Sequence, residues 1–406
     1  MFLSFLMNII KEELSETGEK VGIELENDED LLEPFNPEEI SIQQKAVPMD
    51  VIIRRIKQNS IKLSPSFQRK EVWNNTRKSR LIESIMLNIP LPMFYVAADE
   101  NGVWEVVDGL QRLSAIRDFL MGNQALSKLE FLGDKFDGKK FSEIEGTAKY
   151  QKLVNDIYET EMRFTVINPG TPEAVKRNIF KRINTGGMPL TSQEIRQALY
   201  EGKSSDLLSE LFNSQEFIQA VGKVIDDSRM AGTELILRLI AFIVFNRKDY
   251  KAGMDDWLSN TMRLLNCYPT YDKETIKKIF VKDSIPRIKT TDLEEIKEKF
   301  ILAMNRSKNL FGEHAFRKSL PTDVRKSPIN KSLFEAWGVI LSSLSTEDYE
   351  KLIIHRESFL EEYSKLFKKL DFNNAISRHS STVKGVTDRY SYLENLVNEI
   401  SGKSSD

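Results

Sequence analysis

The sequence predicts an α+β protein, with an N-terminal α/β domain followed by an all-α C-terminal domain. Three observations carry this. A chain of 406 residues is too long for one ordinary core and suits two. Up to about residue 200, short apolar runs bounded by turn residues alternate with segments of helical spacing. From about Lys203 onward strand patterns fade and helical ones dominate. The expected division is an acidic leader over 1–39, flexible, then the α/β domain over 40–202 and the helical domain over 203–406.

Regular structure is expected from Ile40. Val51 to Asn59 has helical spacing, and Ile61-Lys62-Leu63 alternates as a short strand before Pro65. Asn75 is placed to cap a helix whose Leu81, Ile82, Ile85 and Met86 form one face, stopped by Pro90 and Pro92. A hairpin follows, Met93 to Ala98 and Val103 to Val107, turning at Asp99-Glu100-Asn101-Gly102. The return strand is apolar almost throughout and belongs inside a sheet. A helix begins directly after Asp108-Gly109, with Leu113, Ile116, Phe119 and Leu120 as its apolar face and Gly122 closing it. A second hairpin is expected around Asp137-Gly138, then a strand at Met162 to Ile167. A helix runs from Pro172 to Ile183, and Thr191 with Glu194 forms a capping box for another. Thr233 to Asn246 is apolar on nearly every side apart from Glu234 and Arg238, as in the central helix of an all-α domain.

Composition excludes several classes. The single cysteine, Cys267, rules out a disulfide framework and fits a reducing cytoplasm. Met1 to Ile10 is apolar but too short to span a bilayer, so no membrane association is expected. Gly202-Lys203-Ser204 and Gly402-Lys403-Ser404 resemble the end of a P-loop, but Gln197 and Val397 stand where its first glycine is needed. His314, His355 and His379 lie far apart, which gives no support to a zinc site or an HNH-type nuclease. Between Lys11 and Ile40 twelve Asp or Glu face two Lys, so a chain of net −3 leaves +7 on everything after Ile40. A basic body with an acidic leader fits polyanion binding in which the leader competes for the same groove; a solvated tail serving solubility fits equally.

The candidate site is Asp108-Gly109-Leu110-Gln111-Arg112 at a strand-to-helix junction. Such a junction offers unpaired backbone N–H groups at the positive end of a helix, both favouring phosphate. Gly109 permits close approach, Arg112 can grip phosphate oxygens in a fork, and Gln111 can orient a water. Asp108 has two open roles, capping the helix or holding Mg²⁺ against the phosphates. Gln68 and Arg69 follow the first strand, and Arg182 and Asn184 end a later helix. If they converge on Asp108, three arginines line one pocket.

These segments appear in a recognisable order: Ser66-Phe67-Gln68-Arg69, Trp73, Ser79 to Ser84, Ile89-Pro90-Leu91-Pro92, Val107 to Leu113, Phe180 to Gly187, and Glu194-Ile195-Arg196. Together they resemble the N-terminal domain of GmrSD-type restriction proteins, the "DGQQR" branch of the ParB and sulfiredoxin-like superfamily, over roughly Ile40 to Tyr200. Arg229-Met230 with Glu234 to Arg238, and Phe316-Arg317 with Asn330-Lys331 and Leu333-Phe334-Glu335, look like the helical extension of stand-alone members. The resemblance implies a ParB-like fold and binding of a nucleoside triphosphate. It also implies hydrolysis coupled to DNA sensing or cleavage in anti-phage defence. By position, Asp108, Gln111 and Arg112 are its catalytic residues, Gln68, Arg69, Gly109, Arg182 and Asn184 bind nucleotide, and Mg²⁺ on Asp108 is the expected metal. Leu110 stands where Gln is usual and Ser66 where Asp is frequent. No HNH half is recognised, so a separate nuclease subunit, DNA and a second copy are the partners considered. The alternative is a non-catalytic ParB-like DNA-binding protein.

Overall fold

The computed structural model of the chain describes residues 11–15, 17–26, 41–63, 73–172, 175–179, 190–222, 225–251, 253–280 and 285–402. Two units divide it: Leu32–Leu190, and Met1–Leu31 together with Thr191–Asp406. The strands in chain order are β1 (Glu12–Leu14), β2 (Lys20–Glu24), β3 (Ile42–Pro48), β4 (Ile61–Lys62), β5 (Phe94–Ala98), β6 (Trp104–Asp108) and β7 (Glu161–Ile167).

The Leu32–Leu190 unit is built on a mixed five-stranded sheet in the order β3-β7-β5-β6-β4. β5 lies at its centre, parallel to β7 and antiparallel to β6. The expected hairpin and the strand at 162–167 are therefore present, and β6 is interior as its apolar sequence requires. The register sets Phe94 opposite Phe164, whose rings stack at 5.1 Å, with Trp104 against Phe164 at 5.3 Å. Helices α1 (Met49–Lys57), α2 (Asn75–Met86), α3 (Leu110–Leu120) and α4 (Gln151–Glu159) supply the rest of this core through Ile52, Ile82, Leu113, Ile116 and Ile157.

Local departures from expectation have local causes. The cap of α2 is Asn74, whose side chain accepts from Arg77 N–H at 2.9 Å; Asn75 instead donates to Ala125 C=O. Around Asp137-Gly138 the chain forms a short helix, Gly133–Phe136, and a single bridge between Ala125 and Lys140 rather than a hairpin. The carboxylate of Glu83 reaches across from α2 and accepts from the N–H groups of Glu130, Phe131 and Leu132 at 2.9, 2.7 and 2.8 Å. Burial opposes its charge, but these three donors overcome that and hold Glu83 below the usual carboxylate range.

The second unit is helical. Its central helix, α6 (Ala231–Val244), buries nearly every side chain, as its sequence predicts. It packs against α5 (Ser192–Leu199), α7 (Met254–Asn266) and α8 (Lys331–Ser343), with α9 (Val383–Ser401) closing on α8. α5 opens with the predicted Thr191–Glu194 capping box. It belongs here rather than to the α/β domain, because buried Arg196 pairs with Glu234 of α6 at 2.7 Å and with Asp255 of α7. The expected boundary at residue 202 thus moves back to 190.

A larger correction concerns the acidic leader. Residues 11–15 and 17–26, expected as flexible chain, form the β1–β2 hairpin docked on the helical unit. Val21 and Ile23 are buried in that unit's core, and β2 bonds to the chain at Ile329 (Glu24 N–H to Ile329 C=O and Ile329 N–H to Gly22 C=O, both 2.8 Å). Its carboxylates find cations: Glu24 meets Lys318 at 2.6 Å, Glu13 meets Lys331 at 2.6 Å, and Glu26 meets Arg238. Among the described residues no helix is long and apolar enough to cross a membrane.

Candidate functional site

β6, apolar apart from Glu105 as far as Val107, ends at Asp108, after which Gly109 turns the chain at φ +99°. A Cβ at this position would meet Phe94 Cδ1 at 2.4 Å, so both the backbone angle and the space demand glycine. α3 then starts at Leu110 without a side-chain cap. Its first intrahelical bond is Leu113 N–H to Gly109 C=O at 2.9 Å. The N–H groups of Leu110, Gln111 and Arg112 precede that bond, at the positive end of an eleven-residue helix.

Of its two expected roles, Asp108 does not perform the capping one. Its Oδ2 accepts from Arg112 Nη2 at 2.8 Å across one helical turn. Arg112 is also engaged elsewhere: Nη1 donates to Pro92 C=O, Nη2 to Met93 C=O at 3.3 Å, and the guanidinium sits 4.5 Å from the Phe94 ring centre. Its side chain is 12% exposed against 39% for Asp108. Burial lowers its pKa and Asp108 opposes the change; a guanidinium stays charged through such a shift. The expected open fork is thus a closed one in this structure. Arg112 fixes the Asp108 carboxylate at the end of β6 and ties α3 to the chain at Pro92-Met93.

Gln111 Oε1 is buried and has no hydrogen-bond partner among the described residues. A buried acceptor left unpaired costs roughly 1–3 kcal/mol, so this atom marks a position suited to a donor, such as a water, held beside the helix start. No group of three or more His, Cys, Asp or Glu able to hold a metal occurs among the described residues. A lone, half-exposed carboxylate such as Asp108 suits Mg²⁺ only where phosphates and waters supply most ligands. Gln68, Arg69, Arg182 and Asn184 lie outside the described residues. Sequence reasoning missed Phe94 and the carbonyls of Pro92 and Met93, which hold Arg112; an aromatic opening the strand opposite Asp108 was the available signal.

Residues 51–201 match the family described as GmrSD restriction endonuclease, N-terminal domain. The chain carries a GmrSD-type N-terminal domain. The match contains the whole Asp108 corner and runs through α5, past the unit boundary at 190. Among curated proteins no significant relative matches the chain. The GmrSD-type domain therefore contributes four of the five strands of the mixed sheet, β4 to β7, together with the β6–α3 junction and the part-buried Arg112.

Proposed function

We propose that the GmrSD-type domain binds the phosphates of a nucleoside triphosphate at the Asp108–Arg112 corner and hydrolyses it, and that turnover is coupled to DNA sensing or cleavage in restriction-type defence against phage. The observation that carries this reading is the start of α3. Its N–H groups are opened by a glycine that admits no side chain, with an orphaned Gln111 oxygen beside them and a fixed carboxylate in front. In hydrolysis a water oxygen attacks the γ-phosphorus and the bond to the β–γ bridging oxygen breaks. Nucleoside diphosphate and inorganic phosphate leave, and the water proton passes to solvent. Gln111 orients that water through Oε1, and the helix N–H groups receive phosphate oxygens. Arg112 acts through Asp108, holding its carboxylate in position. Mg²⁺, when bound, neutralises developing phosphate charge, with Asp108 as its protein ligand. Gln68, Arg69, Arg182 and Asn184 join the site in this reading, and a ParB-like topology belongs to it as well.

Phosphate release from nucleoside triphosphates with Mg²⁺, comparing the protein with Gln111→Ala, tests the reading. The variant is expected to lose on the order of 100-fold in kcat without a lower melting temperature, since Oε1 has no partner to lose among the described residues. Equal turnover removes Gln111 from the mechanism. A protein that releases no phosphate from any nucleoside triphosphate, yet binds DNA with steep salt dependence, instead supports the non-catalytic DNA-binding reading favoured by the +7 charge beyond Ile40.

A further inference from the structure

At the C-terminal end of α6 the helical unit gathers positive charge around a small pocket. α6 stops at Val244, and the chain over 287–289 runs antiparallel beside that end. Lys289 N–H donates to Val244 C=O at 2.7 Å, Asn246 N–H donates to Arg287 C=O at 2.9 Å, and Phe245 faces Ile288. Asn246 then caps a short turn, Arg247–Asp249, its Oδ1 accepting from Lys248 N–H at 3.0 Å. These backbone bonds set Asn246, Arg247, Lys248 and Lys289 around one pocket of about 240 Å³, which Phe242 of α6 and Val339 of α8 complete.

The neighbouring carboxylates are committed to other cations. Glu394 of α9 takes both Nη atoms of Arg247 at 2.6 Å, Asp249 takes Arg287 at 2.8 and 2.9 Å, and Glu295 takes Lys299 at 2.6 Å. Lys248 and Lys289 have no carboxylate partner among the described residues. Lys289 Nζ instead donates to Phe242 C=O at 2.6 Å, near the end of α6. Burial, with the like charges of Lys299 and Arg247, pushes this amine down to about 8. Capping α6 accounts for that one bond and leaves two N–H groups of Lys289, and the ammonium of Lys248, for a ligand. Asn246 has its Oδ1 occupied, while its Nδ2 has no partner among the described residues.

We infer that this pocket is a phosphate site distinct from the Asp108 corner, and that it takes the dianionic end of a phosphate monoester through Lys248, Lys289 and Asn246 Nδ2. Two lysines leave two positive charges without a counter-charge. A phosphate monoester near neutral pH carries about −1.5 to −2, spread over three acceptor oxygens. A carboxylate or a backbone phosphodiester carries only one negative charge and leaves the other lysine unmatched. The three oxygens also match three donor groups of the lining. Arg247, gripped by Glu394 and lying 4.6 Å from the Tyr390 ring centre, is a fixed positive wall rather than an open fork. The site lies wholly in the helical unit and does not rest on the nucleotide reading of the Asp108 corner.

Amine-reactive labelling of the full chain, read lysine by lysine by mass spectrometry, tests it and reports on this pocket even when phosphate also binds at Asp108. Inorganic phosphate at about ten times its Kd is expected to slow labelling of Lys248 and Lys289 about tenfold. Lys368, which is exposed and does not line the pocket, keeps its rate. Lys248→Gln changes an exposed side chain with no ion pair among the described residues, so the fold survives it. It should raise the phosphate concentration that protects Lys289 about tenfold. A nucleoside 5′-monophosphate and a 5′-phosphorylated oligonucleotide distinguish the sources: the one that protects Lys289 is the kind of ester the pocket takes. Protection by none of the three phosphates, equal slowing at Lys368, or unchanged protection of Lys289 in Lys248→Gln overturns the inference. So does a Lys289 that resists labelling without phosphate, or a 5′-hydroxyl oligonucleotide that protects as well as its phosphorylated form.

Discussion

At the scale of single residues, Gly109 and Arg112 decide what the corner is. Gly109→Ala forces a positive φ on a side chain and drives its Cβ into Phe94. The expected loss is about 1–3 kcal/mol of unfolding free energy, read from urea denaturation; a change within about 0.5 kcal/mol would show that the turn is not strained. The strand–glycine–helix junction was legible because apolar β6 residues give way to Asp108-Gly109 and then to helical spacing. The partners of Arg112 were not. They are backbone carbonyls at Pro92 and Met93, brought beside α3 only by the register that sets Tyr95 opposite Asp108.

At the scale of elements, the hairpin is where sequence reading failed most plainly. A count of carboxylates made the leader look like a solvated tail, yet Val21 and Ile23 alternate with Lys20, Gly22 and Glu24 at strand spacing, and all of these but Lys20 are buried. What the pattern could not reveal is that Arg238, Lys318 and Lys331, hundreds of residues later, wait for those carboxylates. Ile23→Ala should therefore cost about 2–5 kcal/mol of helical-unit stability, measured by denaturant unfolding; a flexible leader would lose nothing measurable. β3 escaped notice for the opposite reason. It is an edge strand whose Gln43, Gln44 and Lys45 are exposed, so no apolar alternation announces it. The long interior elements, β6, β7 and α6, were legible because burial leaves an unmistakable apolar signature.

At the scale of the whole molecule, the chain's two-part construction follows from length and from the change in periodicity near residue 200. Its boundary does not, because α5 is fixed by buried ion pairs rather than by composition. These ion pairs also predict the response to acid. Burial alone would raise the pKa of Glu234, but Lys331 and Arg196 outweigh it and bring the group down to about 2 from 4.5. A carboxylate with a depressed folded-state pKa stabilises the fold above its unfolded value and loses that contribution as pH falls through the folded one. The urea midpoint of the helical unit should therefore drop between about pH 4.5 and pH 2, and Glu234→Gln should flatten that drop while lowering the midpoint at neutral pH. An equally steep fall in the variant would assign the acid sensitivity to other groups. The central claim, a phosphate site at the start of α3, is tested most directly by the thermal stability of the protein with and without a nucleoside triphosphate and Mg²⁺, beside Asp108→Asn, which can still accept from Arg112. The nucleotide should raise the melting temperature of the unaltered protein, because a ligand bound only by the folded state stabilises it, and should leave Asp108→Asn unmoved; no shift in either protein, or the same shift in both, would contradict the site.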